Sequence, residues 1–478
     1  MIRRPFPLAL AALALTGCSV QPSYLRPAPA VPETWPTGPA YRLAGDSALP
    51  AYSWREVFTD PRLQAVIEQA LANNQDLAAA AANIALARAQ LDAQRAQQLP
   101  QVDATLSATR GDNGSGSARS SGGSGGTGGT GGQSGASTSL RAEVGVSGYE
   151  IDLFGRLASL SSAARSRYFA SEAAARATRL ALIAQVANAW LAHGADNDLL
   201  ALARRTAQTS RESLKLTQAR YNGGVAPRSD VRQAEIVLRT AEADVAAQIT
   251  QVAQDANALR LLVGAEVAPS NLPTTMSDAL GRIADVPPGL DSGILLRRPD
   301  VMEAEWQLQA ATAEIGAARA ALFPRFTLTG LLGLASNALT SLFSAGSFAW
   351  QAGGGANYSI FSGGAARANV RVSEAQRDAA LAGYRKAVQT AFADVADALA
   401  RRGTIADQLA AANATSVASA DNLQLAGLRY RGGVDSYLQE LTARLTSYNA
   451  DRSLIATQRT AAENRVAVYR ALGGDGSI

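Results

Sequence analysis

Two periodicities take turns along this chain. Apolar residues recur every seven positions at Val231, Leu238, Val245, Val252 and Leu259, and again at Leu441, Tyr448, Ile455, Ala462 and Tyr469. Strict sevens predict helices packed as coiled coils over their whole length. No proline interrupts Arg156 to Ala226, and none follows Pro324. A helix from about Leu157 to Arg220 would be about 96 Å long at ~1.5 Å per residue. Gly194 can bend such a helix but need not stop it. Four other segments alternate with period two. Val102, Ala104, Leu106 and Ala108 face away from Asp103, Thr105, Ser107 and Thr109, and Leu140, Ala142, Val144 and Val146 face away from Arg141, Glu143, Gly145 and Ser147. Phe326 and Leu328 alternate with Arg325, Thr327 and Thr329. Phe348, Trp350, Ala352, Ala356, Tyr358 and Ile360 alternate with polar or glycine positions. Strands are expected at about 100–110, 139–151, 323–334 and 347–361. Each is close to the ~9–11 residues a tilted membrane strand needs.

The pattern occurs twice. Arg220-Tyr221-Asn222-Gly223-Gly224-Val225 returns as Arg429-Tyr430-Arg431-Gly432-Gly433-Val434, an offset of 209 residues. The same offset carries Gly264 onto Gly473 and Tyr149-Glu150-Ile151 onto Tyr358-Ser359-Ile360. Agreement at three separated places predicts a duplicated structural half. The two halves are expected at 61–264 and 299–473, with a linker at 265–298 and a tail at 474–478. In each half a long helical hairpin reverses at a Gly-Gly turn, 221–226 and 430–435, where glycine supplies the left-handed backbone.

Composition narrows the class. Alanine is roughly a fifth of the chain, which suits long, closely packed helices. With 47% hydrophobic residues the chain is neither collagen-like nor wholly disordered. The net charge is only +4, and no run of five or more cations occurs, so nucleic acid is not expected as a partner. One cysteine excludes an internal disulfide and any Cys-based zinc site, and one histidine, His193, leaves little for acid–base catalysis. Neither an enzyme nor a cofactor or metal protein is expected. Gly111 to Gly135 is almost entirely Gly, Ser and Thr; its GxGxxG matches lack the strand-to-helix context a phosphate loop needs.

The beginning of the chain carries an address. Arg3 and Arg4 precede an apolar core from Phe6 to Leu15, too short to span a membrane permanently. Leu15-Thr16-Gly17-Cys18 resembles the lipobox of bacterial lipoproteins. That resemblance implies removal of residues 1–17 and acylation of Cys18. Ser19 in place of Asp implies export to the outer membrane. A proline-rich leader, 18–60, follows, with Pro22, Pro27, Pro29, Pro32, Pro36, Pro39 and Pro50. Fixed φ and missing N–H groups suit it to an extended surface strap rather than a core element.

Four strands cannot close a barrel, for which about eight is the practical minimum. Open edges in lipid would leave unsatisfied backbone groups, each costing several kcal/mol. Several protomers must therefore pool their strands, and three would give twelve. Arg297-Arg298-Pro299-Asp300-Val301, Ala304-Glu305, Ala310, Ile315-Gly316, Ala318-Arg319 and Leu322-Phe323-Pro324 resemble the outer-membrane factors of tripartite efflux systems, the TolC-like channels, in their NodT-type lipoprotein branch. Asp152-Leu153-Phe154-Gly155-Arg156, Phe361-Ser362-Gly363-Gly364 and both Arg-Tyr-x-x-Gly-Val turns match as well.

The resemblance implies a mainly α fold with membrane β. Long coiled helices would form a periplasmic α-barrel, and each duplicated protomer would give four strands to a trimeric twelve-stranded outer-membrane barrel. Val267 to Leu296 and the C-terminal tail would form an equatorial domain. The implied function is passive export of small molecules. The implied partners are a homotrimer, a periplasmic adaptor, an inner-membrane proton-driven pump and outer-membrane lipid. A gated tip would be lined by Arg228, Asp230, Asp435, Gln439 and Glu440, with Thr442 standing where many relatives carry Asp. Tyr221, Gly223, Gly224, Tyr430, Gly432 and Gly433 would meet the adaptor. Two rivals stand beside this reading. A periplasmic adaptor subunit shares the helical hairpins but not four membrane-type strands, and a structural cell-envelope lipoprotein would have lipobox and helices without a barrel.

Overall fold

The computed structural model describes residues 20–41, 53–111, 137–285 and 292–474. Cys18 with its signal segment, Pro50, residues 112–136 of the Gly-rich loop, 286–291 of the linker and 475–478 of the tail lie outside them. The helices are α1 (Trp54–Val57), α2 (Pro61–Asn73), α3 (Gln75–Ala96), α4 (Arg156–Asn222), α5 (Arg228–Val263), α6 (Met276–Leu280), α7 (Pro299–Ala320), α8 (Ala365–Arg431) and α9 (Tyr437–Ala471). The strands are β1 (Val102–Gly111), β2 (Ser137–Ile151), β3 (Arg325–Ser336) and β4 (Phe348–Asn357). The chain is therefore mainly helical, with one antiparallel sheet in the order β1-β2-β3-β4. Helices α4 and α8 each run 67 residues without a break, about 100 Å at ~1.5 Å per residue, and Gly194 does not interrupt the first.

The offset of 209 carries both ends of α4 onto both ends of α8, and the start of α5 onto the start of α9. Before the strands the offset is 224, carrying α3 onto α7 end for end. The 15-residue difference falls in the connection between paired strands.

The chain divides into two compact units. One contains Ala87–Tyr168 and Leu308–Ala380 with residues 20–25, and it holds the sheet. Residue pairing shows why the alternation matters. Val102, Ala104, Leu106 and Ala108 lie opposite Val146, Val144, Ala142 and Leu140. Across β3 and β4, Leu332 lies opposite Trp350 and Leu334 opposite Phe348. One face is thus continuously apolar, while Asp103, Thr105, Glu143, Thr327 and Gln351 occupy the other. Leu106, Trp350 and Phe348 on the apolar face are 78%, 72% and 65% exposed.

Between Val146 and Tyr149 the β2–β3 register shifts by a bulge. Gly148, with φ +68°, takes the left-handed conformation the bulge needs, and its N–H donates to Thr329 Oγ1 at 3.1 Å. The extra residue turns Tyr149 and Ile151 onto the apolar face, opposite Leu328 and Phe326. The fourth strand stops at Asn357, short of the expected residue 361. Asn357 pairs with Arg325, the first residue of β3, so Tyr358 to Phe361 have no strand beside them.

The Asp-Leu-Phe-Gly-Arg motif is the strand-to-helix switch. Arg156 forks onto Glu150 of β2, donating through Nε and Nη2 at 2.7 Å each, and Asp152 accepts from Ala158 N–H at 2.8 Å. Phe154 stacks on Phe323 of the Leu-Phe-Pro motif, ring centroids 4.5 Å apart, so motifs of the two halves meet.

The other unit contains Arg26–Leu86, Phe169–Gln307 and Leu381 onward. Its core gathers Trp54, Phe58, Leu63 and Ile67 with Ile183, Val186 and Trp190 of α4, Leu259 and Val263 of α5, and Val466 and Tyr469 of α9. The linker is pinned to it: Trp190 Nε1 donates to Asn271 O at 2.8 Å, and Met276 N–H to Asp198 Oδ2 at 2.7 Å. The leader departs from the surface-strap expectation. Trp35 is only 3% exposed and stacks on Phe392 at 5.0 Å, and Arg26 forks onto buried Glu305 at 2.7 Å. An aromatic ring offsets the ordering of an extended segment far better than prolines alone. Arg298, buried, pairs with Asp300 and Asp394 at 2.8 and 3.0 Å and donates to the carbonyls of Ala391 and Ala471. The Arg-Pro-Asp motif is therefore a bolt across α7, α8 and α9. Among the described residues no helix is long and apolar enough to cross a membrane.

Candidate functional site

The residues expected to act lie at the turns of two helical hairpins, α4–α5 and α8–α9. Each turn closes the same way. Gly224 and Gly433 have φ of +72° and +75°, and Val225 and Val434 N–H donate back to Arg220 and Arg429 carbonyls at 2.9 Å. Only the second glycine of each pair is left-handed. Gly223 and Gly432 donate to carbonyls four residues earlier, ending the helix in its own handedness.

The two turn tyrosines have different fates. Tyr221 is 41% exposed, beside an open cleft of 780 Å³ that Lys215, Gln218, Arg228 and Glu235 also line. Tyr430 is 3% exposed. Its hydroxyl lies 3.1 Å from Thr217 Oγ1, its carbonyl accepts from Arg220 at 2.7 Å, and its ring carries the Arg220 guanidinium at 4.7 Å. Tyr437 packs on it at 5.6 Å, with Ala234, Leu214 and Leu441 around the pair. Tyr430 therefore locks the second hairpin to the first.

The five expected aperture residues differ in their surroundings within the chain. Arg228 and Gln439 are exposed, and Asp230 is half-buried in the first turn of α5, where a carboxylate favours the helix dipole. Asp435 accepts from Arg429 Nε and Nη2 at 2.6 and 3.0 Å, and this hydrogen bonding holds its carboxyl below the usual range. Glu440 is 6% exposed, paired with Arg444 and accepting from Ser213 Oγ at 3.4 Å. It joins helices rather than facing solvent within the chain. The repeat carries the signal for this: Glu440 is the counterpart of Val231, itself 8% exposed. In that register the counterparts of the first hairpin's seven-residue stripe are Glu440, Ser447, Leu454, Ala461 and Val468. They sit one residue before the stripe read from apolarity. Thr442 is exposed and bonds back to Leu438 O at 2.8 Å. Arg220 grips a carbonyl and a ring of the second hairpin. Among the described residues no cluster of three or more His, Cys, Asp or Glu side chains can hold a metal.

An amphipathic sheet with an exposed apolar face and duplicated helical hairpins define an outer-membrane channel subunit. The chain belongs to the outer membrane efflux protein family, whose pattern matches residues 66–265 and 291–474. It is 40% identical over 469 residues to the probable efflux pump outer membrane protein TtgC of Pseudomonas putida, covering 98% of this chain and 94% of that one. It is 37% identical to outer membrane protein OprJ of Pseudomonas aeruginosa, covering 97% and 94%. The crystal structure of the open state of the Neisseria gonorrhoeae MtrE outer membrane channel superposes with a TM-score of 0.81 at 34% identity, over 96% of this chain and 98% of that one. CusC gives the same TM-score at 32% identity, over 96% and 100%.

Proposed function

We propose that this outer membrane efflux protein acts as a homotrimeric exit duct, conducting small molecules passively from periplasm to exterior. The observation that carries the reading is the sheet: apolar on one face, polar on the other, with β1 and β4 each lacking a neighbour on one side among the described residues. Three copies would pool twelve strands and leave no edge. The apolar face would meet lipid and the polar face the water-filled lumen. No step in this function calls for a catalyst, so the protein is not an enzyme in this reading. Energy comes from an inner-membrane proton-driven pump, joined through a periplasmic adaptor that meets Tyr221, Gly223 and Gly224 and the matching Tyr430, Gly432 and Gly433. Arg228, Asp230, Asp435 and Gln439, repeated threefold, would set the charge of the periplasmic aperture, with Glu440 holding the helices behind it.

The test is mass and insertion. Protein purified in mild detergent is expected at three chains, and removing β1–β2 or β3–β4 is expected to abolish insertion; a stable, conducting monomer would refute the reading. Lipid attachment at Cys18 is a separate proposal: mass spectrometry should find the mature chain acylated there, and Cys18→Ala should accumulate as unmodified precursor.

A further inference from the structure

We infer that Asp196 of α4 and Asp255 of α5 share one proton, forming a carboxyl–carboxylate clasp inside the first hairpin that breaks as the pH rises. Both side chains are buried, 6% and 9% exposed. Ala195, next to Asp196, and Leu259, one turn beyond Asp255, both belong to the apolar core. Asp255 Oδ1 accepts from Gln251 Nε2 at 3.0 Å, while its Oδ2 is buried with no donor. The Asp196 carboxyl is within hydrogen-bonding reach of Asp255. Two carboxylates have no hydrogen between them, so this contact is a bond only when one carries a proton. With the proton in place, the buried oxygen gains the donor it lacks, and one of two like charges disappears.

The surrounding groups decide where the proton sits. On α4, one turn before Asp196, is His193, the sole histidine, 6% exposed with Nδ1 unpartnered. Burial lowers its affinity for a proton more than the charge of Asp255 raises it. On α9 the facing cation is Arg459, whose Nε is engaged by Glu463 at 2.7 Å. Asn464, also buried, offers an unpartnered Oδ1. Burial first, then the hydrogen bond and charge of Asp255, push Asp196 up to about 7 against the pull of Arg459. Among the described residues, the charges that act on Asp196 are those of Asp255 and Arg459.

The sign follows from linkage. The folded hairpin holds a proton that the unfolded chain releases near the ordinary Asp value of about 3.9, so this pair makes stability fall as the pH rises towards 7. His193 contributes the opposite slope below its ordinary value of about 6.5, so only the difference between wild type and variant isolates the pair.

Infrared difference spectra of the full-length protein in detergent, between about pH 5 and pH 8.5, test the clasp directly. Wild type is expected to show a protonated-carboxyl band that titrates near neutrality and disappears in both Asp196→Asn and Asp255→Asn. Asparagine keeps the shape and supplies the donor permanently. Both variants should therefore fold and lose less of their unfolding midpoint than wild type across the same range. A band unchanged in both variants, or a midpoint that follows pH as in wild type, overturns the proposal. If neither variant folds, the absence of any such band from wild type at the acid end overturns it as well.

Discussion

Replacing Tyr430 with phenylalanine is expected to loosen the second hairpin from the first without unfolding either. The substitution removes one hydroxyl from a site where Tyr430 is 3% exposed and Thr217 0%. The lost hydrogen bond contributes about 0.5–1.5 kcal/mol, and a buried Thr217 hydroxyl left without that partner costs about 1–3 kcal/mol. Thr217 can turn back to a carbonyl of its own helix, which recovers part of the second figure. A net loss of about 1–2 kcal/mol remains, a factor of roughly 5–30 in the population of the separated state. The carbonyl held by Arg220 and the ring beneath its guanidinium both survive in Tyr430→Phe. Tyr430→Ala also deletes the ring from its cluster with Tyr437 and Ala234, and should cost about 3–5 kcal/mol. Hydrogen exchange at the amides from Leu428 to Tyr437 reads the separated population directly, and single-channel conductance in planar bilayers reads its effect on the pore. Exchange rates equal to wild type in both variants would show that Tyr430 does not hold the hairpins together.

Asp60 caps α2 and is 1% exposed. Burial alone would raise its carboxyl, but hydrogen bonds and charge from Arg62, with the charge of Arg282, outweigh it and hold the group below its ordinary value. Its contribution is therefore present above the ordinary Asp range and lost as the pH falls through the folded value. Asp60→Asn should cost about 1–3 kcal/mol at neutral pH and flatten the acid limb of a thermal-unfolding series. A Cβ at Gly333 would lie 2.1 Å from Ala142 O and 2.7 Å from Glu143 Cα, so Gly333→Ala should prevent β2–β3 pairing and remove folded protein from the outer-membrane fraction. Asp230→Ala should raise single-channel conductance or lower cation selectivity with trimer mass unchanged, while shortening the loop between β1 and β2 alters neither.

The helices were legible because their signals are long. Proline-free runs and a repeated Arg-Tyr-x-x-Gly-Val turn locate α4, α5, α8 and α9, and averaging over many residues makes such periodicity robust. The β2 bulge was harder. Its mark is a parity change, apolar at even positions through Val146 and at odd positions from Tyr149, with Gly148 between. Tyr221 and Tyr430 share a motif and differ in environment because their partners differ. The repeat places Arg228 where Tyr437 stands and Ala426 where Thr217 stands, so only the second tyrosine finds a ring and a hydroxyl. By its charge Glu440 reads as a lining residue, although its counterpart Val231 belongs to the buried stripe. Trp35 had no local pattern at all. A single aromatic in a proline-rich segment reveals its socket only when Phe392, more than three hundred residues away, is brought beside it.

The two offsets, 224 before the strands and 209 after, have a practical corollary for anyone wishing to label this protein. Adding one residue inside α4 would rotate everything beyond it by about 100° and advance it ~1.5 Å, mismatching α4 against its equal-length counterpart α8. The connection between paired strands has instead absorbed 15 residues on one side of the duplication while every flanking helix kept its length. An epitope tag or a small reporter peptide therefore belongs between Gly111 and Ser137, where this half of the duplication already carries 15 residues more than the other.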